Sequence, residues 1–467
     1  METPTFDEWE RASVSVEIDE EFVDNLSALI DRHEQGMVLN IVSTLHPADL
    51  ATLLEHINEA EGMQLFGWLP PAWAANLLPE LDESLRYRIL DSLPGDQVAT
   101  LVGQLDSDDA IDVLSDFEVD RAQAILGQLE DAQDLGQLFA YDDDTAGGIM
   151  AVEYVAVRPS ATVSEITEEV RRNAETVEEV YAVFVTDDDN LLKGIISLKK
   201  LLLSASDHRA ADIMESDVIC VTADLDQEDV ALKMQRYDLV SMPVVDEQGK
   251  LLGRITIDDV VDVIREEAEE DLQRMSGLGE ESHRDTILEV SRGRLPWLIL
   301  GLIGSIISSF VIMTFEGALE QAVILASFIP IVMSTAGNVG IQSSAIAVQG
   351  LASGSFWANQ IGTRLGRELA IGLLNGISLA LILSLFVIGA TPILSGMSTQ
   401  EALHLAGTAS VALVVAILLA ASIGSTIPIL LDNIGLDPAL ATGPFITASN
   451  DILGLLIFFF AATLLYI

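Results

Sequence analysis

The spacing of apolar and polar positions changes character along the 467 residues. Over residues 20–140 it is helical and repeatedly interrupted by acids or proline, as in Leu45-His-Pro-Ala-Asp-Leu-Ala-Thr-Leu-Leu54 and Leu105-Asp-Ser-Asp-Asp-Ala-Ile-Asp-Val-Leu114. Such short amphipathic pieces predict a small helical superstructure. Over 149–264 the pattern alternates between β-like runs and helical ones. From position 295 it becomes almost continuously apolar. Five stretches, near 296–315, 322–348, 368–391, 404–431 and 438–466, approach or exceed the roughly 20 residues needed to cross a bilayer.

The middle segment is a duplication with a period of roughly 60 residues. Ile149-Met150 is echoed by Ile213-Met214, and Val180-Tyr-Ala-Val-Phe-Val185 by Leu239-Val-Ser-Met-Pro-Val-Val245. Gly194-Ile-Ile-Ser197 returns as Gly253-Arg-Ile-Thr256, and Thr162-Val-Ser-Glu-Ile-Thr-Glu-Glu-Val-Arg171 reads as helix. Each copy reads β-α-β-β-α. The pair resembles a tandem cystathionine-β-synthase-type (CBS) module, a ligand sensor rather than a catalyst. That resemblance implies an adenine-nucleotide site where a Ser/Thr-x-x-Asp ends a strand. The second copy keeps it as Thr256-Ile-Asp-Asp259, whereas Ser197-Leu-Lys-Lys200 lacks the acid. The competing reading is an acidic cap on the following helix.

Charge sharpens the division. The formal net charge is −50 at a mean hydropathy of +0.39. From Leu295 onward there are seven acids and two bases, leaving a net −45 before it. So acidic a surface disfavours nucleic-acid binding. Five lysines (193, 199, 200, 233, 250) beside so many acids suggest a salt-loving host. The single cysteine, Cys220, excludes an intrachain disulfide, and in Val218-Ile-Cys-Val221 it reads as a buried small hydrophobe. The first residues carry no signal-peptide pattern. Arg292 and Arg294 precede the first span, and Arg364 and Arg367 lie between the second and third. With five crossings both pairs fall on one side, so the acidic half is expected in the cytoplasm and the C-terminus outside.

Polar residues inside the spans are aligned. In the last one Gly443, Thr447, Asn450, Asp451 and Gly454 recur at intervals of three and four and form one stripe. Asp451, counted from Pro438, stands ~20 Å in, near mid-membrane. A carboxylate there costs at least ~2.5 kcal/mol, and no span contains a base to pair with it. It needs a cation from solution, or a proton. The second span carries Ser334, Gly337, Asn338, Gly340, Gln342, Ser343 and Ser344; Pro330 at its start frees a carbonyl that something else must satisfy. The glycines and serines suit close helix packing, and the two amides a hydrated lining. Thr426 and Pro428 in the fourth span read as packing and a kink. The six histidines show no metal-ligand spacing, and no nucleotide-hydrolysing or nucleophile motif is present. No enzymatic constellation is found, and transport without an ATPase engine is expected.

Tyr141-Asp-Asp-Asp-Thr-Ala-Gly-Gly-Ile-Met150, Met242-Pro-Val-Val-Asp246, Thr256-Ile-Asp-Asp259, Gly337-Asn-Val-Gly-Ile-Gln-Ser-Ser344 and the segment from Asp437-Pro-Ala-Leu440 through Asn450-Asp-Ile-Leu-Gly454 together resemble the MgtE-type magnesium channels over roughly 40–467. Gln349 departs from the arginine that usually ends the second span there. The resemblance implies a multidomain α and α/β chain with a polytopic helical membrane domain. Its parts would be a flexible acidic N-terminus (1–19), a helical N domain (20–140), CBS units (141–204 and 205–264), a plug helix (265–294) and five membrane helices (295–467). It implies a homodimer in the membrane that transports Mg²⁺ along Asp451, Asn450, Thr447, Gly443, Asn338 and Gly337. It further implies closure by cytosolic Mg²⁺ bridging Asp108, Asp112, Asp226, Glu228, Asp238, Asp262, Glu267, Glu270, Asp271 and Asp437, with ATP as a possible ligand of the CBS pair. A tethered Mg²⁺ or nucleotide sensor, and a transporter of Co²⁺ or Mn²⁺, are the alternatives that the residues leave open.

Overall fold

The computed structural model describes residues 18–129, 132–174, 176–177, 179–278, 287–352, 361–441 and 443–467. It divides into two units, Met1–Ile264 and Arg265–Ile467. Most of the acidic N-terminus, and 279–286 of the connecting segment, lie outside the described residues.

In the first unit ten short helices run from α1 (Glu20–Asp31) to α10 (Ala132–Leu138) among the described residues, with α8 at Ser107–Ser115. Helices this short are marginal alone, so packing of their apolar faces must hold them. Their starts carry capping residues and prolines: Asp19 accepts from the Phe22 N–H at 2.8 Å, Asn58 from the Glu61 N–H at 3.0 Å, and Pro47 and Pro71 open their helices. Leu26, Leu50, Leu65, Leu77 and Leu90 are buried in one core, which continues into the second CBS repeat through Val230, Met234, Met242, Ile255 and Val263.

The repeats give two three-stranded sheets of one topology. In the first, β1 (Ala156–Val157) is parallel to β2 (Ala182–Thr186), which is antiparallel to β3 (Leu192–Ser197), with α11 (Val163–Arg172) and α12 (Leu198–Leu203) following β1 and β3. After α13 (Ala210–Ile213), the second has β4 (Val221–Thr222), α14 (Gln227–Tyr237), β5 (Ser241–Val245), β6 (Leu251–Thr256) and α15 (Ile257–Met275). The Ile-Met echo has a physical cause. Ala151, just after Met150, bridges Arg254 on β6, and Glu215, just after Met214, bridges Ile195 on β3. Each segment thus lies across the last strand of the other repeat. A Cβ at Gly253 would stand 2.5 Å from the Ala151 carbonyl oxygen, and one at Gly194 2.7 Å from Met214 Sδ, which explains both glycines. Cys220 is exposed, contrary to expectation. It precedes β4, where alternation turns Val221 inward and Cys220 out.

The second unit contains α16 (Ile287–Thr314), α17 (Glu316–Gln321), α18 (Ile329–Ala352), α19 (Ile361–Ser395), α20 (Thr399–Asn433) and α21 (Gly443–Leu465). Among the described residues five spans are long and apolar enough to cross a membrane: Ile287–Thr314, Val323–Ala352, Gly362–Leu394, Thr399–Asn433 and Gly443–Leu465. Four of the five helices begin or end several residues beyond their apolar windows. The last begins later, because Pro438–Ala441 is a 3₁₀ turn. Pro330 is the second residue of α18, after the 3₁₀ turn Val323–Phe328, where its missing N–H would be unpaired anyway. The carbonyl expected to be freed is therefore not freed from a helix interior. α20 is central: Ala402, Ala406, Ala409, Ala412, Ala416 and Ala420 are buried along it, and their small size lets α18, α19 and α21 approach.

Candidate ion path and carboxylate clusters

α18 and α21 place the polar residues of the membrane unit. On α18 the exposed positions include Ser334, Asn338, Gln342 and Gln349, while Gly337, Gly340, Ser343 and Ser344 are buried. Exposed amides on one face of an apolar span face water or a partner, since lipid would leave them unpaired. On α21, Thr447 is exposed, with its hydroxyl satisfied by the Gly443 carbonyl at 2.9 Å, and Asp451 one turn on is partly exposed. α21 starts at Gly443, so Asp451 lies about 12 Å into it. That places it nearer the first third than the midpoint expected from Pro438. Asn450 is 2% exposed and packs on α18, turned away from this face. Gly443 has φ +41, and a Cβ there would lie 2.6 Å from the Met275 carbonyl oxygen, so α15 ends against the start of α21.

Asp451 is not the only acid within these helices. Glu368 lies two turns into α19 and accepts from the Ser343 hydroxyl at 3.2 Å. The sequence placed it at a span edge because the polar first turns of α19 hid the helix start.

Where α15 ends, its acids meet those before α21. The Arg274 guanidinium donates to Asp437 at 2.7 Å and pairs with Glu270 on its own helix, while Asp437 also caps the turn at Ala439 N–H, 2.7 Å away. Burial pushes the Asp271 carboxyl up to about 6, helped by the charges of Asp437 and Glu267. Glu267, Glu270, Asp271 and Asp437 thus form one group, with Arg274 as a cation that motif reading missed. The i, i+4 spacing of Glu270 and Arg274 was the available signal.

The start of α15 carries two more meetings, both within the first unit. Asp259 accepts from the Thr256 N–H and hydroxyl, each at 2.9 Å, as the cap of α15. Burial, opposed by these bonds, raises its carboxyl to about 6. Asp108, at the start of α8, is pushed well above the usual carboxylate range by burial and then by the Asp259 charge. One turn along α15, Asp262 adds to the upward push that burial exerts on Glu80, against the lowering influence of His46. Glu80 was not singled out from the sequence, and nothing in its neighbours would have marked it.

The remaining candidates separate. Asp112 is held by Arg86 Nη1 at 2.7 Å, while Arg86 Nε binds buried Asp116 at 2.6 Å. Asp226 caps α14 by accepting from Glu228 N–H at 2.9 Å, whereas Asp238 closes its other end in a left-handed conformation with φ 52. Flanking a helix of 11 residues, they stand about 18 Å apart, so Asp226 and Glu228 do not share a site with Asp238 in one chain. Among the described residues no three His, Cys, Asp or Glu side chains converge as ligands of one metal ion. The acids meet instead in two pairs, Asp108 with Asp259 and Glu80 with Asp262, and in the group around Arg274, with oxygen donors only.

A tandem CBS pair on a helical N domain, joined to five apolar spans, defines a polytopic membrane protein that carries a CBS pair. The MgtE family model, described as a divalent cation transporter, matches residues 329–461; the MgtE intracellular N domain matches 45–144; and CBS domains match 146–207 and 210–266. The magnesium transporter MgtE of Enterococcus faecalis is 37% identical over 324 residues, covering 69% of this chain and 70% of its own length. That of Thermus thermophilus is 34% identical over 331 residues, covering 70% and 71%. A crystal structure of the cytosolic domain of the Mg²⁺ channel MgtE in complex with ATP is 33% identical, covers 52% of this chain and 99% of its own, and has a TM-score of 0.49. The chain belongs to the MgtE family.

Proposed function

We propose that this protein carries Mg²⁺ across the cytoplasmic membrane as a homodimer, along a path formed by α18 and α21 of both copies. The supporting observation is that each helix carries accessible polar residues, exposed Asn338 and Gln342 on α18 and exposed Thr447 with partly exposed Asp451 on α21, in spans otherwise suited to lipid. A second copy of these residues would enclose water. Mg²⁺ sheds its waters reluctantly, so a pair of Asp451 carboxylates holding the hydrated ion suffices, and first-shell waters meet amides and carbonyls. The first unit is cytoplasmic in this reading, and after five crossings the C-terminus is outside. Hard oxygen donors favour Mg²⁺ over softer transition ions.

Cytosolic Mg²⁺ closes the path. Asp108 beside Asp259, Glu80 beside Asp262, and Asp271 beside Asp437 and Glu267 all repel when ionised. One helix, α15, carries a member of each group. Bridging cations tie it at both ends, next to the turn that begins α21. For a nucleotide, the Asp259 carboxylate is already engaged by its own cap, but the Nε of buried Arg254 has no acceptor among the described residues and would suit a phosphate. ATP titration at low Mg²⁺ with Arg254→Gln alongside tests that reading.

The deciding experiment is Mg²⁺ flux into liposomes, wild type against Asp451→Asn. Flux in the first and none in a folded, dimeric variant is expected. Equal flux would remove Asp451 from the path, and no flux in either would favour a membrane-tethered sensor. Co²⁺ and Mn²⁺ flux in the same vesicles separates the other transporter readings.

A further inference from the structure

Asn450 is the residue on α21 that the ion path does not use. It is 2% exposed, and its amide nitrogen has no hydrogen-bond partner among the described residues, in a helix where Thr447 and Thr463 both bond their preceding carbonyls. An orphaned amide deep in an apolar helix bundle costs free energy, and replacing it with an apolar residue would remove that cost. Its surroundings explain its presence. A Cβ built on Gly340 of α18 would lie 2.0 Å from Asn450 Nδ2 and 3.0 Å from Ile446 Cγ2. The carboxamide therefore fills the space that Gly340 leaves open. Behind it, a Cβ on Gly424 of α20 would lie 2.3 Å from the Gly340 carbonyl oxygen, so α20 backs the same turn. On another flank of α21, a Cβ on Gly304 of α16 would meet Ala448 Cβ at 2.6 Å. α21 is held between two glycine notches, with Asp451 next to the keyed residue.

We propose that Asn450 is a positioning residue: its carboxamide keys into the Gly340 notch and sets the rotation and depth of α21, and so where Asp451 stands in the path. A buried polar residue is suited to this, as a lone buried asparagine fixes register in coiled coils at a cost in stability. A leucine would tolerate several registers against neighbouring apolar helices. Sliding or rotating α21 would drive the carboxamide into positions of α18 that carry a Cβ, whereas at Gly340 that space is open. The proposal rests on the reading of Asp451 as the path carboxylate.

The test is a double-mutant cycle in full-length protein, with Mg²⁺ flux and the Mg²⁺ concentration for half-maximal flux as readouts. Gly340→Ala puts a methyl where the amide sits and is expected to cut flux roughly tenfold or more, as overpacking does. Asn450→Ala loosens the key and should raise the half-maximal Mg²⁺ concentration about threefold or more while conducting, since Asp451 remains. In the double variant the methyl occupies the emptied notch, and flux should return to within about threefold of Asn450→Ala. Gly424→Ala should not be rescued by Asn450→Ala, because its clash is with a backbone oxygen. Gly389→Ala, at a glycine with open space beside it, serves as the neutral control. Losses that multiply in the double variant, or no flux in folded Asn450→Ala, would overturn the proposal; the latter would put the amide in the path itself. If Gly340→Ala alone does not fold, recovery of folded dimer by the double variant supports the keyed contact, and its failure to recover refutes it. Conduction by Asp451→Asn would instead sink the underlying path assignment, whatever the cycle gives.

Discussion

Replacing Asp259 with Asn tests whether the joint between the N domain and α15 is charge-strained. The Asp259 carboxyl stands at about 6 in the folded protein against the ordinary 3.8, through burial and its acidic neighbours. A raised value means that the folded state holds the proton more tightly. The associated stability is fully present below the unfolded value near 4 and is lost as pH rises through about 6. At pH 7.5 the loss is about two pK units, or about 3 kcal/mol. Asn removes the charge but accepts less strongly from Thr256 N–H and hydroxyl, a cost of about 1 kcal/mol. The net gain of about 2 kcal/mol corresponds to about 30-fold slower opening-limited hydrogen exchange. Native-state exchange at the first turns of α8 and α15, in low Mg²⁺, should show it. At pH 5 the wild type has regained about half of its loss, so the difference should shrink to about threefold. Saturating Mg²⁺ should protect the wild type more than the variant. Equal exchange at pH 7.5, or the same difference at pH 5, would refute the electrostatic account.

Asp271→Asn should lower the cytosolic Mg²⁺ needed for closure, measured as flux against Mg²⁺ at pH 7.5, because it removes repulsion from Asp437 and Glu267. In wild type, acidification through about 6 should act in the same direction, since protonation removes the same charge. Arg86→Met takes the guanidinium away from buried Asp116 and should destabilise the N domain by about 3–5 kcal/mol in chemical unfolding, with most of the loss restored by adding Asp116→Leu.

Much of this architecture could be read from the order of residues alone. The period of apolar positions separates short helices, β-α-β-β-α repeats and spans, because burial of one face follows directly from local geometry. Asp451 stood out because a carboxylate without a base is costly in an apolar segment, wherever the helices pack. The helix-opening Pro47 acts within a few residues and was equally visible, whereas the caps Asp19 and Asn58 emerged only with the structure. Boundaries were less so. Polar first turns disguised the start of α19 and placed Glu368 at an edge, and the 3₁₀ turn before Gly443 moved the start of α21 and the depth of Asp451.

Tertiary structure alone decided which side chains meet. Asp108 and Asp259 are 151 positions apart, and Arg274 and Asp437 are 163 apart, so no local pattern pairs them. Among 66 acids before position 295, those that matter differ from the solvated ones only in what the fold sets beside them. Asn450 shows the same limit at close range. It shares a stripe with Thr447 and Asp451 in sequence, yet one step of about 100° around α21 turns it from the polar face into the Gly340 notch. Periodicity gives the faces of a helix; only the neighbouring helices determine which face meets water, lipid or a glycine.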